Sequence, residues 1–106
     1  MSAPRGAGGS LDAGETAPRQ AERMDSREVA RAFGEALRTM RCEQGVTQEG
    51  LADGAGIDRT YPSLLERGRR HPTLTMLLRL ARALAVEPAE LVNRTVRQLR
   101  AWSARR

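Results

Sequence analysis

Arginine is the residue type in this sequence with the greatest capacity for chemistry. All 18 basic side chains are Arg, and none is Lys. A guanidinium is planar and permanently charged, and its fork of N–H donors matches the oxygens of carboxylates and phosphates. The arginines therefore favour anion recognition, although a GC-rich genome also explains why Arg is used exclusively.

The sequence has few residues suited to enzyme catalysis or metal binding. The chain has one His and one Cys, with no paired metal-ligand spacing. Neither a zinc site nor a nucleophile paired with His can be assembled from these residues. We therefore expect no enzymatic activity, no cofactor and no metal. A single Cys cannot form an internal disulfide, and no apolar run suggests a signal peptide or membrane span, so we expect a cytoplasmic protein without a membrane partner.

The net charge of +5 is unevenly distributed. Residues 1–26 carry three Arg against four acids, residues 27–92 ten against nine, and residues 93–106 five against none. A basic balance of this kind is typical of proteins that bind nucleic acid, an anionic membrane surface or an acidic protein. Charge alone does not choose among them.

A length of 106 residues allows one compact domain. Residues 1–26 are rich in Gly, Ala and Pro and predict a disordered N-terminal tail. Order should begin at Asp25 or Ser26, where Asp25 and Glu28 match a capping box. The first helix should end near Gly45, and residues 27–92 should form the domain.

Four further helices are predicted. Thr47 caps a helix from 48 to about 54, and Asp58 caps one over 59–67 that Gly68 closes. Thr73 caps a fourth, with apolar residues Leu74, Leu77, Leu78, Ala81 and Leu84. Pro88 begins a fifth that runs to about Trp102. The fold class is therefore all-α, a compact five-helix bundle, and the short second and third helices with a Gly-containing connection are typical of a helix-turn-helix.

Short motifs recur along these helices at a specific combined spacing. They are Phe33-Gly34, Leu37-Arg38, Arg41, Gly45-Val46-Thr47-Gln48, Leu51-Ala52, Gly56-Ile57, Ser63, Leu65-Glu66-Arg67-Gly68, Pro72-Thr73-Leu74, Leu80-Ala81, Leu84 and Pro88-Ala89-Glu90-Leu91. With them, segment 33–92 resembles the Cro/repressor-like (XRE-type) helix-turn-helix family of bacterial and phage transcription regulators. The resemblance implies a lambda-repressor-like DNA-binding domain, a partner of double-stranded DNA, and association with the nucleoid when bound.

The resemblance also implies which residues contact DNA. Gln48, Arg59, Thr60 and Leu64 match positions that reach base edges, and the helical wheel adds Ser63 to the same outward arc. For Leu64 an exposed leucine without a DNA role is an equal alternative. The expected phosphate contacts are Thr47, Tyr61, Arg67, Arg69 and Arg70. For Arg69 and Arg70, the alternative is that both are solvated loop charges without a DNA contact. Arg41 and Glu66 match a partly buried structural ion pair of the family.

Pro62 is the main departure from the family pattern, which usually has a β-branched residue or Leu there. Proline at the fourth position of the predicted helix lacks the N–H for the first intrahelical bond and disfavours helical geometry at Tyr61. We therefore expect the start of the helix to be distorted, or the helix to begin at Tyr61.

The basic helical extension over 93–106 completes an amphipathic fifth helix. Its apolar side chains are the candidates for dimerisation, namely Leu91, Val92, Val96, Leu99 and Trp102. Three occupants of this face remain open: the first helix, a second copy of the chain, or another protein. The predicted function is a repressor-type transcription regulator that reads a palindromic operator as a homodimer. The alternative is a protein-interaction module, such as an antitoxin, that docks through the fifth helix.

Overall fold

The computed structural model describes residues 24–105, and every regular element in this part of the chain is an α-helix. The helices are α1 (Ser26–Glu43), α2 (Gln48–Ala55), α3 (Tyr61–Glu66), α4 (Leu74–Ala83) and α5 (Pro88–Ala104). The all-α, five-helix prediction is confirmed for this range. Residues 1–23 of the predicted disordered tail, together with residue 106, lie outside it.

Side-chain caps begin three of the helices where the sequence predicts. Asp25 accepts a hydrogen bond from the Arg27 N–H at 2.8 Å, Thr47 from the Gly50 N–H at 2.9 Å, and Thr73 from the Met76 N–H at 3.0 Å. Each cap satisfies a backbone donor that the first turn of a helix leaves without an acceptor. These local bonds set the start of α1, α2 and α4.

The third helix is shorter than predicted. The predicted range is 59–67, but α3 spans Tyr61–Glu66, and Arg59 lies with Thr60 in the turn before it. The start at Tyr61 is one of the two effects expected of Pro62. Pro62 is the cause, because it has no N–H to bond the Asp58 carbonyl in the α-helical pattern. The Tyr61 N–H instead closes a tighter turn onto that carbonyl at 3.0 Å. Pro62 is fully buried at the second helical position, where proline is tolerated.

The core lies where the helices meet, with α1 against α3 and α5, and α2 against α4. Its buried members are Phe33, Leu37, Met40, Leu51, Ala55, Leu65, Leu80, Ala81, Leu84 and Leu91. The predicted α4 stripe is only partly buried: Leu74 is 73% exposed and Leu78 48% exposed. These two leucines lie one turn apart, so α4 presents an apolar strip to solvent.

The contact between α1 and α3 is unusually close at Gly34. A Cβ atom built on Gly34 would lie 2.3 Å from the Leu65 carbonyl oxygen and 2.7 Å from that of Glu66. Glycine therefore allows α1 to pass directly over the C-terminal carbonyls of α3. This contact fixes the position of α3 relative to the rest of the bundle.

The fifth helix packs along α1 within the same chain. It continues without a break through the predicted boundary between residues 92 and 93. Thr95, beyond that boundary, is buried, and its hydroxyl donates to the Leu91 carbonyl at 2.8 Å. Near its C-terminal end, Trp102 stacks under the Arg31 guanidinium of α1, with 4.9 Å from Cζ to the ring centroid.

Candidate nucleic-acid interface

One surface gathers most of the residues predicted to contact DNA. It is formed by the N-terminus of α2, the turn before α3 and the outward side of α3. We call it the reading surface, and it comprises Thr47, Gln48, Glu49, Arg59, Thr60, Ser63, Leu64 and Arg67. All of these side chains are exposed or half-buried, whereas Pro62 and Leu65 on the other side of α3 are buried.

A buried ion pair holds this surface from behind. Arg41 donates to Glu66 from Nε to Oε2 at 2.6 Å and from Nη2 to Oε1 at 3.0 Å. The two side chains are only 12% and 4% exposed. The hydrogen bond from Arg41 to Glu66 raises the pKa of the guanidinium above its ordinary value. The pair therefore ties the end of α1 to the end of α3 in its charged form.

Two more hydrogen bonds extend the ion pair to the turn before α2 and to α2 itself. The Arg41 Nη1 donates to the Val46 carbonyl at 2.8 Å, and the Gln48 Nε2 donates to Glu66 Oε1 at 3.0 Å. Gln48, a predicted base contact, is thus held from the protein side through its amide nitrogen. Its amide oxygen keeps its capacity to accept a hydrogen bond.

Asp58 orders the turn that carries Arg59 and Thr60. Its Oδ2 accepts from the Thr60 N–H at 3.1 Å and also from the Thr60 hydroxyl. These bonds, the hydroxyl bond first, lower the pKa of the Asp58 carboxyl. The Thr60 hydroxyl hydrogen is therefore engaged within the protein, which leaves the methyl group and the oxygen lone pairs for a ligand.

Arg59 forms an ion pair with Glu49 across the turn between α2 and α3. The contact joins Arg59 Nη2 to Glu49 Oε2, and the side chains are 70% and 68% exposed. Sequence reasoning missed Glu49. The ten-residue separation gives no local signal of the pairing, although a carboxylate beside Gln48 at the start of α2 marks Glu49 as part of the same surface.

The outer residues of α3 have few internal contacts. Arg67 Nε donates to the Ser63 carbonyl at 3.4 Å, a long bond that leaves most of its guanidinium open. Leu64 is half-buried. The Tyr61 hydroxyl donates to the His71 carbonyl at 3.4 Å, so Tyr61 links α3 to the following loop.

That loop carries Arg69 and Arg70, both exposed. Neither forms an ion pair with another residue in the range 24–105. The loop leaves α3 through Gly68, whose φ of 73° belongs to the left-handed region, and the Arg69 N–H then bonds the Leu64 carbonyl at 2.9 Å. Two guanidinium groups that form no ion pair with any other residue of 24–105 thus flank the end of α3.

The dimerisation candidates on α5 are largely occupied within the monomer. Leu91 is fully buried in the core of the single chain, so its prediction as a dimer contact is wrong: side chains of the same chain already cover it. Val96, Leu99 and Trp102 are half-buried, and Val92 remains 45% exposed. The apolar face of α5 therefore packs mainly on α1.

The basic face of α5 is partly neutralised by acids of the same chain. Arg94 pairs with Glu43 and with Glu90, both at 3.1 Å, and Arg97 pairs with Glu90 at 3.2 Å. Hydrogen bonds from these arginines, that of Arg94 first, lower the pKa of Glu90. The hydrogen bonds that Arg94 donates, to Glu43 first and then to Glu90, raise the pKa of its guanidinium. An acidic partner would have to compete with these internal carboxylates.

Residues 24–105 offer little to other classes of site. No group of three or more His, Cys, Asp or Glu side chains in this range is arranged to hold a metal ion. No helix within it is both long and apolar enough to cross a bilayer.

Comparison with known proteins agrees with this geometry. A family model described as Helix-turn-helix matches residues 37–91. The chain is 43% identical over 72 residues to an uncharacterized HTH-type transcriptional regulator of Sinorhizobium fredii, covering 68% of this chain and 90% of that protein. It is also 36% identical over 64 residues to the control protein C.BamHI of Bacillus amyloliquefaciens, covering 59% of this chain and 79% of that one.

Two solved structures extend the likeness to three dimensions. The restriction-modification controller protein C.AhdI of Aeromonas hydrophila is 45% identical with a TM-score of 0.57, over 58% of this chain and 94% of that one. The clp gene regulator ClgR of Corynebacterium glutamicum is 30% identical with a TM-score of 0.69, over 73% of this chain and 82% of that one. The similarity thus covers the region that carries the reading surface.

Proposed function

Because the chain belongs to the helix-turn-helix family of DNA-binding transcription regulators, we propose that it acts as a repressor-type regulator at one palindromic operator. It controls transcription by binding at that site, either through occlusion of the site or through recruitment of other factors, and it catalyses no reaction. The observation that carries this proposal is the outward side of α3. Ser63 and Leu64 are half-buried there and Arg67, just after the helix, is exposed, while Pro62 and Leu65 anchor the same short helix in the core.

We assign the base contacts to Gln48, Arg59, Thr60, Ser63 and Leu64. An α-helix with its side chains is about 10 to 12 Å across, and the major groove of B-DNA is about 12 Å wide. Arg59 has the fork geometry to read guanine through two parallel N–H groups. The methyl of Thr60 and the side chain of Leu64 suit the methyl group of thymine.

The phosphate contacts fall to Thr47, Tyr61, Arg67, Arg69 and Arg70. Thr47 uses its oxygen to cap α2, which leaves its hydroxyl hydrogen to donate to a phosphate beside the N–H groups of the first turn. Arg69 and Arg70 are unpaired by other described residues and free to neutralise phosphates. Such contacts set register and make affinity fall steeply as salt rises.

A homodimer accounts for recognition of a palindrome. Two copies related by a two-fold axis place their reading helices about 34 Å apart, on successive turns of one face of DNA. We place the interface on Leu74 and Leu78 of α4 and on Val92 of α5, which are exposed apolar side chains on neighbouring helices. An acidic protein partner for α5 has less support, since Arg94 and Arg97 are already paired.

Selection from a random duplex library tests the DNA-binding assignment. The wild-type protein should enrich one palindromic sequence, and an Arg59→Ala, Thr60→Ala double variant should lose that enrichment while keeping weak, salt-sensitive binding. Arg100→Ala, an exposed arginine remote in sequence from α3, is the matched control and should enrich the wild-type sequence. Unchanged enrichment by the double variant refutes the residue assignment, and no enrichment by the wild type refutes the function.

Molecular mass in solution tests the dimer separately. Light scattering after gel filtration should give twice the chain mass for the wild type, and Leu78→Glu or Val92→Glu should give a monomer because a charge would be buried in an apolar contact. Ala101→Glu, at an exposed position near the end of α5, should stay dimeric. A monomeric wild type would show that the dimer proposal is wrong.

A further inference from the structure

We propose that Glu49 determines specificity by holding Arg59 for a base and away from the phosphates. This inference rests on the proposed DNA-binding function and goes one step beyond it. It assigns a role to an acidic residue on a surface meant for a polyanion, and it makes Glu49 a positioning residue that acts through Arg59. Its starting point is the ion pair between Arg59 Nη2 and Glu49 Oε2.

The fold does not need this ion pair. Both side chains are more than two-thirds exposed, and pairs of that kind contribute little to stability because water and salt screen them. The hydrogen bond from Gln48 to Glu66 already joins α2 to α3, and Arg41 ties the same Glu66 to α1. A carboxylate that is dispensable for folding and lies within the reading surface calls for an explanation in terms of the ligand.

Electrostatics gives Glu49 two opposite effects on DNA binding. Duplex DNA carries one negative charge per about 1.7 Å of its axis, so a free carboxylate at this position opposes every non-specific encounter. The same carboxylate attracts Arg59 and holds it at a fixed place on the surface. Glu49 therefore lowers affinity for DNA in general and restricts where the exposed guanidinium of Arg59 can go.

The geometry leaves Arg59 able to read a base while it is held. A guanidinium has five N–H donors, and the contact to Glu49 uses Nη2 alone. Whichever hydrogen of Nη2 is used, one edge with two parallel N–H groups stays free, and that edge fits the O6 and N7 of guanine. An arginine without Glu49 could instead turn to a phosphate, where it would bind any sequence.

The test compares the full-length wild type with Glu49→Gln, which keeps the size of the side chain and removes its charge. Three duplexes are used: the operator found by selection, that operator with the guanine read by Arg59 changed to adenine, and a random duplex. Affinity of the variant for the random duplex should rise about fivefold, the effect of removing one nearby like charge. Its discrimination between guanine and adenine should fall about tenfold, a typical share of a bidentate contact.

Two further variants isolate the mechanism. Glu35→Gln removes an equal charge from an exposed position on α1, in the groove between α1 and α5, and should leave discrimination unchanged. In an Arg59→Ala background, Glu49→Gln should no longer affect discrimination, because the residue through which it acts is gone. A melting temperature within about 2 °C of the wild type shows that the variant is folded, as expected for an exposed site.

The outcomes separate this inference from the function on which it rests. If the wild type prefers no duplex, both fail. If the wild type prefers its operator but Glu49→Gln discriminates equally well, only the role of Glu49 is overturned. The same holds if Glu49→Gln weakens operator and random duplex equally, or if its effect persists without Arg59.

Discussion

Two Arg–Glu ion pairs connect the helices around the helix-turn-helix, and they differ in burial, in the number of their hydrogen bonds and in their place in the fold. Arg41 and Glu66 meet out of solvent with two hydrogen bonds, at the joint between α1 and α3. Glu49 and Arg59 meet in solvent through one contact, on the reading surface. Burial decides what an ion pair can do: the first is part of the fold, and the second is free to exchange its partner for a ligand.

Breaking the buried pair should have the largest effect. Glu66→Ala leaves the largely buried Arg41 charged and without its carboxylate partner, with only the Val46 carbonyl as acceptor, which should lower the free energy of unfolding by about 3 to 5 kcal/mol. Urea denaturation followed by circular dichroism measures the change. Replacing both partners, as in Arg41→Met, Glu66→Leu, should recover much of the loss. A loss below about 1 kcal/mol for Glu66→Ala would make this pair equivalent to an exposed one.

The glycine beside the buried pair should be nearly as sensitive. Gly34→Ala places a methyl group against the Leu65 and Glu66 carbonyls, so α1 and α3 must separate. We expect a loss of about 1 to 3 kcal/mol, the usual range for overpacking. Thermal unfolding of Gly34→Ala beside Glu35→Ala, its exposed neighbour, is the matched measurement. Equal melting temperatures would contradict the close contact.

The exposed pair should respond in binding and not in stability. Arg59→Lys keeps the positive charge but loses the planar fork, so the preference for operator over random duplex should fall by about 1 kcal/mol, within the range for one base contact. Urea denaturation should be unchanged. Fluorescence anisotropy with both duplexes measures the ratio, and Arg100→Lys is the control. A variant that keeps the full preference would mean that Arg59 acts as a simple charge.

Acid should show the smallest effect, through Asp58 on the same exposed side. Its pKa in the folded protein is below the ordinary value of 3.8 because Thr60 donates to the charged carboxyl. Its stabilisation is therefore complete above that value and is lost as pH falls through the lower folded pKa. Asp58→Asn should lose slightly less stability than the wild type between neutral and strongly acidic pH. A steeper loss of stability in Asp58→Asn than in the wild type would contradict the lowered pKa of Asp58.

Local features of the sequence predicted much of the fold. The caps at Asp25, Thr47 and Thr73 and the glycine at the end of α1 act within a few residues, so each can be inferred from neighbouring residue types. The five helices follow from these signals together with helical periodicity. The family match over residues 37–91 agrees with the resemblance found in the sequence.

What the sequence could not predict depends on packing between distant segments. Whether Leu91 faces α1 or a second copy cannot be decided from one amphipathic helix, because periodicity defines a face without naming its partner. The Glu49–Arg59 contact spans ten residues and requires the angle between α2 and α3. The effect of Pro62 was foreseen as one of two outcomes, and only the backbone distinguishes them.

The buried Pro62 has a consequence for how new operators can be acquired. Because the proline ring prevents α3 from extending further toward its N-terminus, positions 59 and 60 do not need residues that favour a helix. Residues that weaken helices, such as Asn, can therefore be introduced at position 59 at low cost to the scaffold, and Ser at position 60 keeps a hydroxyl that can donate to Asp58. The chain thus places two of its proposed base contacts outside the regular helix, which makes these two positions the natural sites for a retargeting library.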